Sequence, residues 1–296
     1  MTEDDHINRW LKLWPNPSSD QLPLGPGDDC AVLPPGPART LPVVKTDAVV
    51  QDVHFRLSDS PQDIGHKALA RVLSDFAAMG ATPRHALITL GLPKTLSPKL
   101  IDGCYRGMAR LAKKHQVNLA GGETTRSRDF WISVAAFGFV KRQHLITRSG
   151  AQAGHLLLIT GRLGGSSRHG SRRHLRFSPR LAEGQWLAQH RYPSAMMDLS
   201  DGLGKDLPRL ATASQVSYHL RAASLPRHTS CSPEQAVNDG EDFELLFSLP
   251  ESSWSRLRRA WPFSTRLSVI GHLTSLSQQP YSDGVPMRGY DHLQSS

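Results

Sequence analysis

The sequence predicts an α+β protein of two units of similar size, and three observations carry that expectation. Short apolar runs with strand character recur along the whole chain, and two longer stretches of the first half repeat apolar residues at helical spacing. Near the middle, TRSGAQAG (residues 147–154) breaks the pattern with small and polar residues. At 296 residues, 39% hydrophobic and 21% charged, the chain has a globular composition and the length of one large or two ordinary domains. Its N-terminal MTEDDHINRW opens acidic, and no apolar run approaches the ~20 residues of a membrane span, so a soluble cytoplasmic protein is expected. Cys30, Cys104 and Cys231 are odd in number and far apart, which signals neither a disulfide framework nor a zinc site.

Taken in order, residues 2–14 read as a short amphipathic helix, followed by a Pro/Ser loop and short strands over 30–33 and 41–50. Ile64, Ala68, Leu69, Val72, Leu73, Phe76 and Met79 then mark one buried face of a helix over about 63–79. A strand over 85–92 follows, LPKTLSPKL turns the chain into a second helix ending near 114, VNLAGGETT reads as a buried strand running into a glycine turn, and WISVAAFGFV reads as another strand. Beyond the break come a strand in HLLLITG, glycines at 161, 164 and 165, a helix over 179–190, a strand over 195–199, a helix over 201–212, a strand in FELLFSLP and a helix over 251–261. The units are thus expected as 1–148 and 149–296, with no internal repeat and no low-complexity tract.

A formal charge of +9 favours anionic partners such as nucleotides and phosphorylated metabolites. Much of the excess is local: RHGSRRHLRFSPR, residues 168–180, holds five arginines and two histidines. Without a stripe of base-stacking aromatics this reads as a solvated face, and nucleic acid is not an expected partner.

Against that positive background the carboxylates stand out. Asp75 lies in the apolar face of the first long helix, Asp28 and Asp29 follow Gly-Pro-Gly, Asp47 and Asp52 sit in KTDAVVQDVHF, Glu123 in LAGGETTR, and Asp198 and Asp201 in MMDLSDGLGKDL. A buried ionised carboxylate needs a cation, a metal or several donors. Hard oxygen ligands gathered without cysteine or paired histidine suit Mg²⁺ shared with substrate phosphates. Each piece also has a plainer reading: an Asx turn at Asp28–Asp29, a helix cap at Asp201, a tight turn at Gly121–Gly122, and a core histidine at His54. GRLGGSS fits neither common phosphate-loop spacing.

GPGDDCAVL, KTDAVVQDVHF, KALARVLSDFAAMGATPRHALITLGLP, LAGGETTR, TRSGA, MMDLSDGLGKDL and GEDFELLFSLP, in this order, resemble the thiamine-monophosphate kinase family, from about residue 25 to 290. That family belongs to the superfamily of aminoimidazole ribonucleotide synthetase. The resemblance implies a two-domain fold of that superfamily, with an N-terminal sheet pairing into a dimeric barrel and a C-terminal α/β domain. It also implies a homodimer that uses ATP to phosphorylate thiamine phosphate to thiamine diphosphate, with Mg²⁺ as cofactor. By matching motif, Asp29, Thr46, Asp47, Asp75, Glu123, Asp198 and Asp201 are the implied metal ligands. Tyr105, Gly121, Gly122, Arg148 and Ser200 are placed around ATP, and His54, Glu241 and Met287 at the acceptor. An acceptor phosphate oxygen is already anionic, so no general base is expected among the residues.

The chain departs from the family pattern at five places. Lys45 precedes Thr46–Asp47 where a small hydroxyl residue is usual, Glu123 replaces an aspartate, Asn238 and Asp239 replace small residues, and Met287 stands at an aromatic position. These departures keep open an ATP-using relative with another phosphate or carboxylate acceptor, or a nucleotide-binding protein without turnover. For Lys45 there are two readings: its ammonium replaces one Mg²⁺ among the carboxylates, or it points along its strand into solvent.

Overall fold

A computed structural model describes residues 28–33, 40–166 and 171–291; the helix expected over 2–14 and the Pro/Ser loop after it lie outside these residues. The described chain forms two five-stranded sheets. The first has the order β1-β2-β5-β3-β4, from β1 (Ala31–Val32), β2 (Thr40–Val50), β3 (Thr82–Leu92), β4 (Asn118–Arg126) and β5 (Trp131–Lys141). Its pairs are antiparallel except for β3 with β4. The second has the order β7-β9-β6-β10-β8 and is antiparallel in every pair, from β6 (Leu156–Thr160), β7 (Ala195–Asp198), β8 (Ser217–Leu220), β9 (Leu245–Leu249) and β10 (Leu267–Thr274). No described helix is long and apolar enough to cross a membrane.

The long helix α1 (Pro61–Ala78) begins with Pro61 at its first position and Asp63 in its first turn, a residue and a charge suited to a helix N-terminus. It ends where Gly80, at φ +63°, lets its own N–H reach the Ala77 carbonyl and the Ala81 N–H reach that of Phe76, the pair of bonds of a Schellman motif. Its apolar face is buried end to end, together with Lys67, Ser74 and Asp75. Helix α2 (Pro98–His115) lies along it through Gly103, Cys104, Gly107, Met108 and Leu111. That approach requires glycine: a Cβ on Gly65 would overlap the Cys104 carbonyl. Gly65→Ala is therefore expected to wedge the two helices apart and destabilise the protein by about 1–3 kcal/mol, read as a lower midpoint in urea unfolding.

The remaining helices are α3 (Arg173–Arg176), α4 (Leu181–Gln189), α5 (Leu203–Ala213), α6 (Pro233–Asn238) and α7 (Glu251–Ala260). One core cluster joins the first sheet, α1 and α2 to Met196, Leu245, Phe247, Leu249 and Leu257 of the second half, and another fills the far side of the second sheet around α5 and α6. Helix α1 thus lies between the two sheets and serves both.

Two expected elements differ. Beyond the buried Val117, VNLAGGETT is neither buried nor broken by a turn: β4 runs through Gly121 and Gly122 as an exposed edge strand, with one bulge against β3 just before Gly121. Gly122 is needed for strand approach, because a Cβ there would overlap the Ile88 carbonyl of β3, and Gly121 adopts a positive φ of 149°. Helix α5 starts at Leu203 behind Gly202, at φ +94°, so Asp201 is not its cap. Strands β8 and β10 were not anticipated; five of their twelve residues are serine, threonine or histidine, two of them buried, which blurs the apolar alternation.

Candidate functional site

The carboxylates are gathered by three elements. Asp29 precedes β1, Asp75 projects from α1 and Asp198 ends β7; their ligand atoms lie within 4.8 Å of one another, and all three residues are buried. Alternation along β2 turns Lys45 and Asp47 toward α1, where Arg71 and Asp75 stand one turn apart. Two ion pairs of opposite sense result, Lys45 to Asp75 at 2.7 Å and Arg71 to Asp47 at 2.9 Å. Lys45 therefore points inward, not along its strand into solvent. Burial opposes its charge, but Asp75 and Asp47 hold the ammonium above the usual lysine range.

Arg148 grips Asp29 through two nitrogens at 3.0 and 3.2 Å, while its backbone N–H donates to Asp28. Asp28 also accepts the Asp29 N–H, an Asx-type contact, and burial followed by the Asp29 charge raises it to about 6. Asp198 makes no ion pair among the described residues, and burial with the Asp29 charge raises it to about 7. Three hard oxygen donors converging on one point, one of them without a cation, match what Mg²⁺ requires.

Beside this cluster is a second charged group. Lys67, with no exposed surface, donates to the His54 carbonyl at 2.6 Å and pairs with Glu241 at 2.6 Å, and His174 Nδ1 lies 2.8 Å from its ammonium. Burial works to raise Glu241, but His174, Lys67 and Arg71 hold it down at about 2. His54 Nδ1 accepts the Val50 N–H at 3.1 Å, which fixes its ring. A cavity of about 150 Å³ opens here, lined by His54, Arg71, Ser200, Glu241, Phe243 and Tyr290 among others. The Arg71 guanidinium lies 5.9 Å from the Phe243 ring centre.

Several expected site residues are placed elsewhere. Asp201 lines the same cavity but is held by Arg209 at 2.7 Å and Lys205 at 3.6 Å, outside the three-carboxylate cluster. Thr46 is on the opposite face of β2, exposed and 3.4 Å from Ser133. Glu123, Gly121 and Gly122 lie exposed on the edge strand β4, where Glu123 accepts the Thr124 N–H. Tyr105 is partly buried on α2, and Met287 packs against the second core, away from the cavity lining.

The departures at 238 and 239 have structural explanations. Asn238 accepts the N–H groups of Arg288 and Gly289 and donates to the Pro286 carbonyl, clamping the segment that presents Tyr290 to the cavity. Asp239 accepts the Gly165 N–H, as Asp242 accepts that of Gly164, so the GRLGGSS glycines are tied to the GED segment. Sequence reasoning missed Arg71, Lys67 and Tyr290. A cation at position 67 or 71, eight and four residues before Asp75 on the same helix face, was the available signal.

The raised Asp198 sets a pH dependence. In the metal-free protein its contribution to stability is full below 3.8 and is lost as pH rises through about 7, where the buried carboxyl ionises. A divalent ion must displace that proton. The rise in Tm produced by Mg²⁺ is therefore expected to be larger at about pH 8 than at about pH 6, measured by scanning calorimetry. Equal rises would exclude Asp198 as a ligand.

Known proteins resemble the chain over most of its length. Residues 27–140 match the family described as AIR synthase related protein, N-terminal domain. The thiamine-monophosphate kinase of Rhodopirellula baltica is 38% identical over 252 residues, covering 79% of this chain and 78% of its own. That of Escherichia coli K12 is 33% identical over 305 residues, covering 91% and 92%. Among solved structures, AaThiL complexed with AMPPCP and TMP superposes with a TM-score of 0.83 at 27% identity, over 99% of this chain and 97% of that one.

Proposed function

Because the chain belongs to the thiamine-monophosphate kinase family, we propose that it transfers the terminal phosphoryl group of ATP to thiamine phosphate, giving thiamine diphosphate. The observation that carries the reading is the Asp29–Asp75–Asp198 cluster, set beside a cavity that bears both charges. The AaThiL complex with AMPPCP, an ATP analogue, and TMP supports the same pair of substrates. We take residues 1–148 and 149–296 as the two domains, and the cytoplasm as their compartment.

Two phosphate-bearing substrates repel one another, so the site must neutralise charge and hold both in line more than it must supply a nucleophile. Mg²⁺, held by Asp29, Asp75 and Asp198 with Asp47 and Asp201 nearby, would supply that neutralisation when bound. Arg148 and Ser200 serve the phosphates of ATP. His54, Arg71 and Glu241 orient the acceptor, with Glu241 facing its cationic ring and Arg71 its phosphate. Met287 supports the acceptor side from the second core.

Thr46, Glu123, Gly121 and Gly122 lie on the outer face and edge of the first sheet, and Tyr105 on the helix that leads into that edge. The same face exposes Leu87, Phe137 and Phe139. An apolar patch of this kind on a sheet marks a protein interface. We place a second copy of the chain there, its sheet completing a barrel and bringing these residues to ATP at the subunit junction.

Two experiments test the proposal. Purified protein with ATP, Mg²⁺ and thiamine phosphate is expected to yield thiamine diphosphate, and none without Mg²⁺; absence of product would end the kinase reading. Asp198→Asn should remain folded, with a metal-free Tm equal to or above that of the parent because an unpaired buried carboxylate is gone, yet lose about 10²-fold or more in kcat. For the dimer, Phe137→Glu with Phe139→Glu is expected to shift the mass in light scattering from two chains to one. A parent protein that already runs as a single chain would refute the barrel.

A further inference from the structure

We propose that the Lys45 ammonium is a built-in cation of the carboxylate cluster. It fills the place beside Asp75 that a divalent ion would take, so that the cluster admits one such ion, on its Asp29–Asp198 side. The proposal rests on the metal-binding reading of the cluster and not on the identity of the acceptor.

Position argues first. Lys45 is paired with Ala136 in the β2–β5 ladder, and its neighbour on the same face, Asp47, is locked to Arg71 at 2.9 Å. With the strand held on both sides, the lysine stem has a fixed origin, and its tip lies 2.7 Å from Asp75 Oδ1. An ammonium has three donors and no lone pair, so it can hold a carboxylate but cannot share it as a ligand. While it remains there, it occupies the Lys45 side of Asp75 and leaves that carboxylate free toward Asp29 and Asp198 alone.

Charge argues second. With all three carboxylates ionised, as ligation of an ion requires, Lys45 and Arg148 leave one formal negative charge. One divalent ion takes the cluster past neutrality. A second would enter surroundings already net positive, within the ~3.5–4 Å at which paired ions normally share carboxylates. Without Lys45 the cluster carries two uncompensated negative charges, so one divalent ion brings it to neutrality instead of past it, and the Asp75 oxygen that Lys45 held is open to a second. Unlike an ion, the lysine charge is tethered and does not depend on the metal concentration.

The test counts ions with Mn²⁺ as the probe, on the full chain without nucleotide, following free Mn²⁺ by electron paramagnetic resonance. The wild-type protein is expected to bind one Mn²⁺ per chain and Lys45→Ser two. In the absence of metal Lys45→Ser should melt below wild type, and Mn²⁺ should raise its Tm by more than it raises that of wild type. Two or more ions on the wild-type protein overturn the proposal, whether or not the variant folds. A folded Lys45→Ser that binds no more than the parent overturns it as well, and no Mn²⁺ on either protein removes the metal reading beneath it. Failure to phosphorylate thiamine phosphate, with the one-to-two count intact, would end the kinase assignment and leave this inference standing.

Discussion

A carboxylate taken out of water has to be matched by positive charge, and much of this molecule is arranged around that requirement. Helix α1 carries a buried cation at Lys67, a half-buried one at Arg71 and a buried anion at Asp75, each about one turn from the next. Strand β2 answers the last two with Asp47 and Lys45 in reversed order. Because each ion pair joins a strand residue to a helix residue, a slip of one position in either element would leave four charges unpaired in the interior. The pairs are therefore better regarded as fixing the register of α1 on the sheet than as adding net stability. Asp198 is the exception in this arrangement, and that exception is what makes the cluster a place for a metal.

Asp75 was legible in the sequence because a lone acid inside an apolar helical stripe conflicts with its surroundings. Asp29 and Asp198 were legible because they end short apolar runs. The counter-ion of Asp47 was not, since a lysine or arginine on a helix reads by default as a solvated face, and only the pairing across to β2 shows Arg71 turned inward. The edge strand β4 misled for a related reason: LAGG next to β-formers suggests burial, while parallel pairing to β3 leaves the whole strand open. Asp201 has the identity and position of a helix cap. The glycine after it takes the left-handed conformation and starts the helix two residues later, which frees the carboxylate for Arg209.

The GED segment shows how a short motif does several jobs. Glu241 and Phe243 both have positive φ, at 66° and 50°, an uncommon state for residues with a Cβ. Two such residues flanking Asp242 send alternate side chains apart: Glu241 to Lys67 and the cavity, Asp242 back to Gly164 and Ser166, and Glu244 to Arg180 and Thr160. The backbone strain is held in place by hydrogen bonds of Glu241 and Phe243 to Ser200 and Leu199. In this way the end of β7, which carries Asp198, is fastened to the segment that carries Glu241.

The position of α1 between the two sheets also bears on how the chain is made. Its partners Leu245, Phe247, Leu249 and Leu257 are about a hundred residues downstream of the break at 147–154. At ribosomal speeds of ~5–20 residues per second, the first half waits roughly 5–20 s with one side of α1 uncovered. During that interval an eighteen-residue helix with an apolar face and two buried charges has no second sheet to rest on. The nascent first half is thus a natural client for chaperones, and fragments cut near residue 150 should be prone to aggregate while the full chain is not.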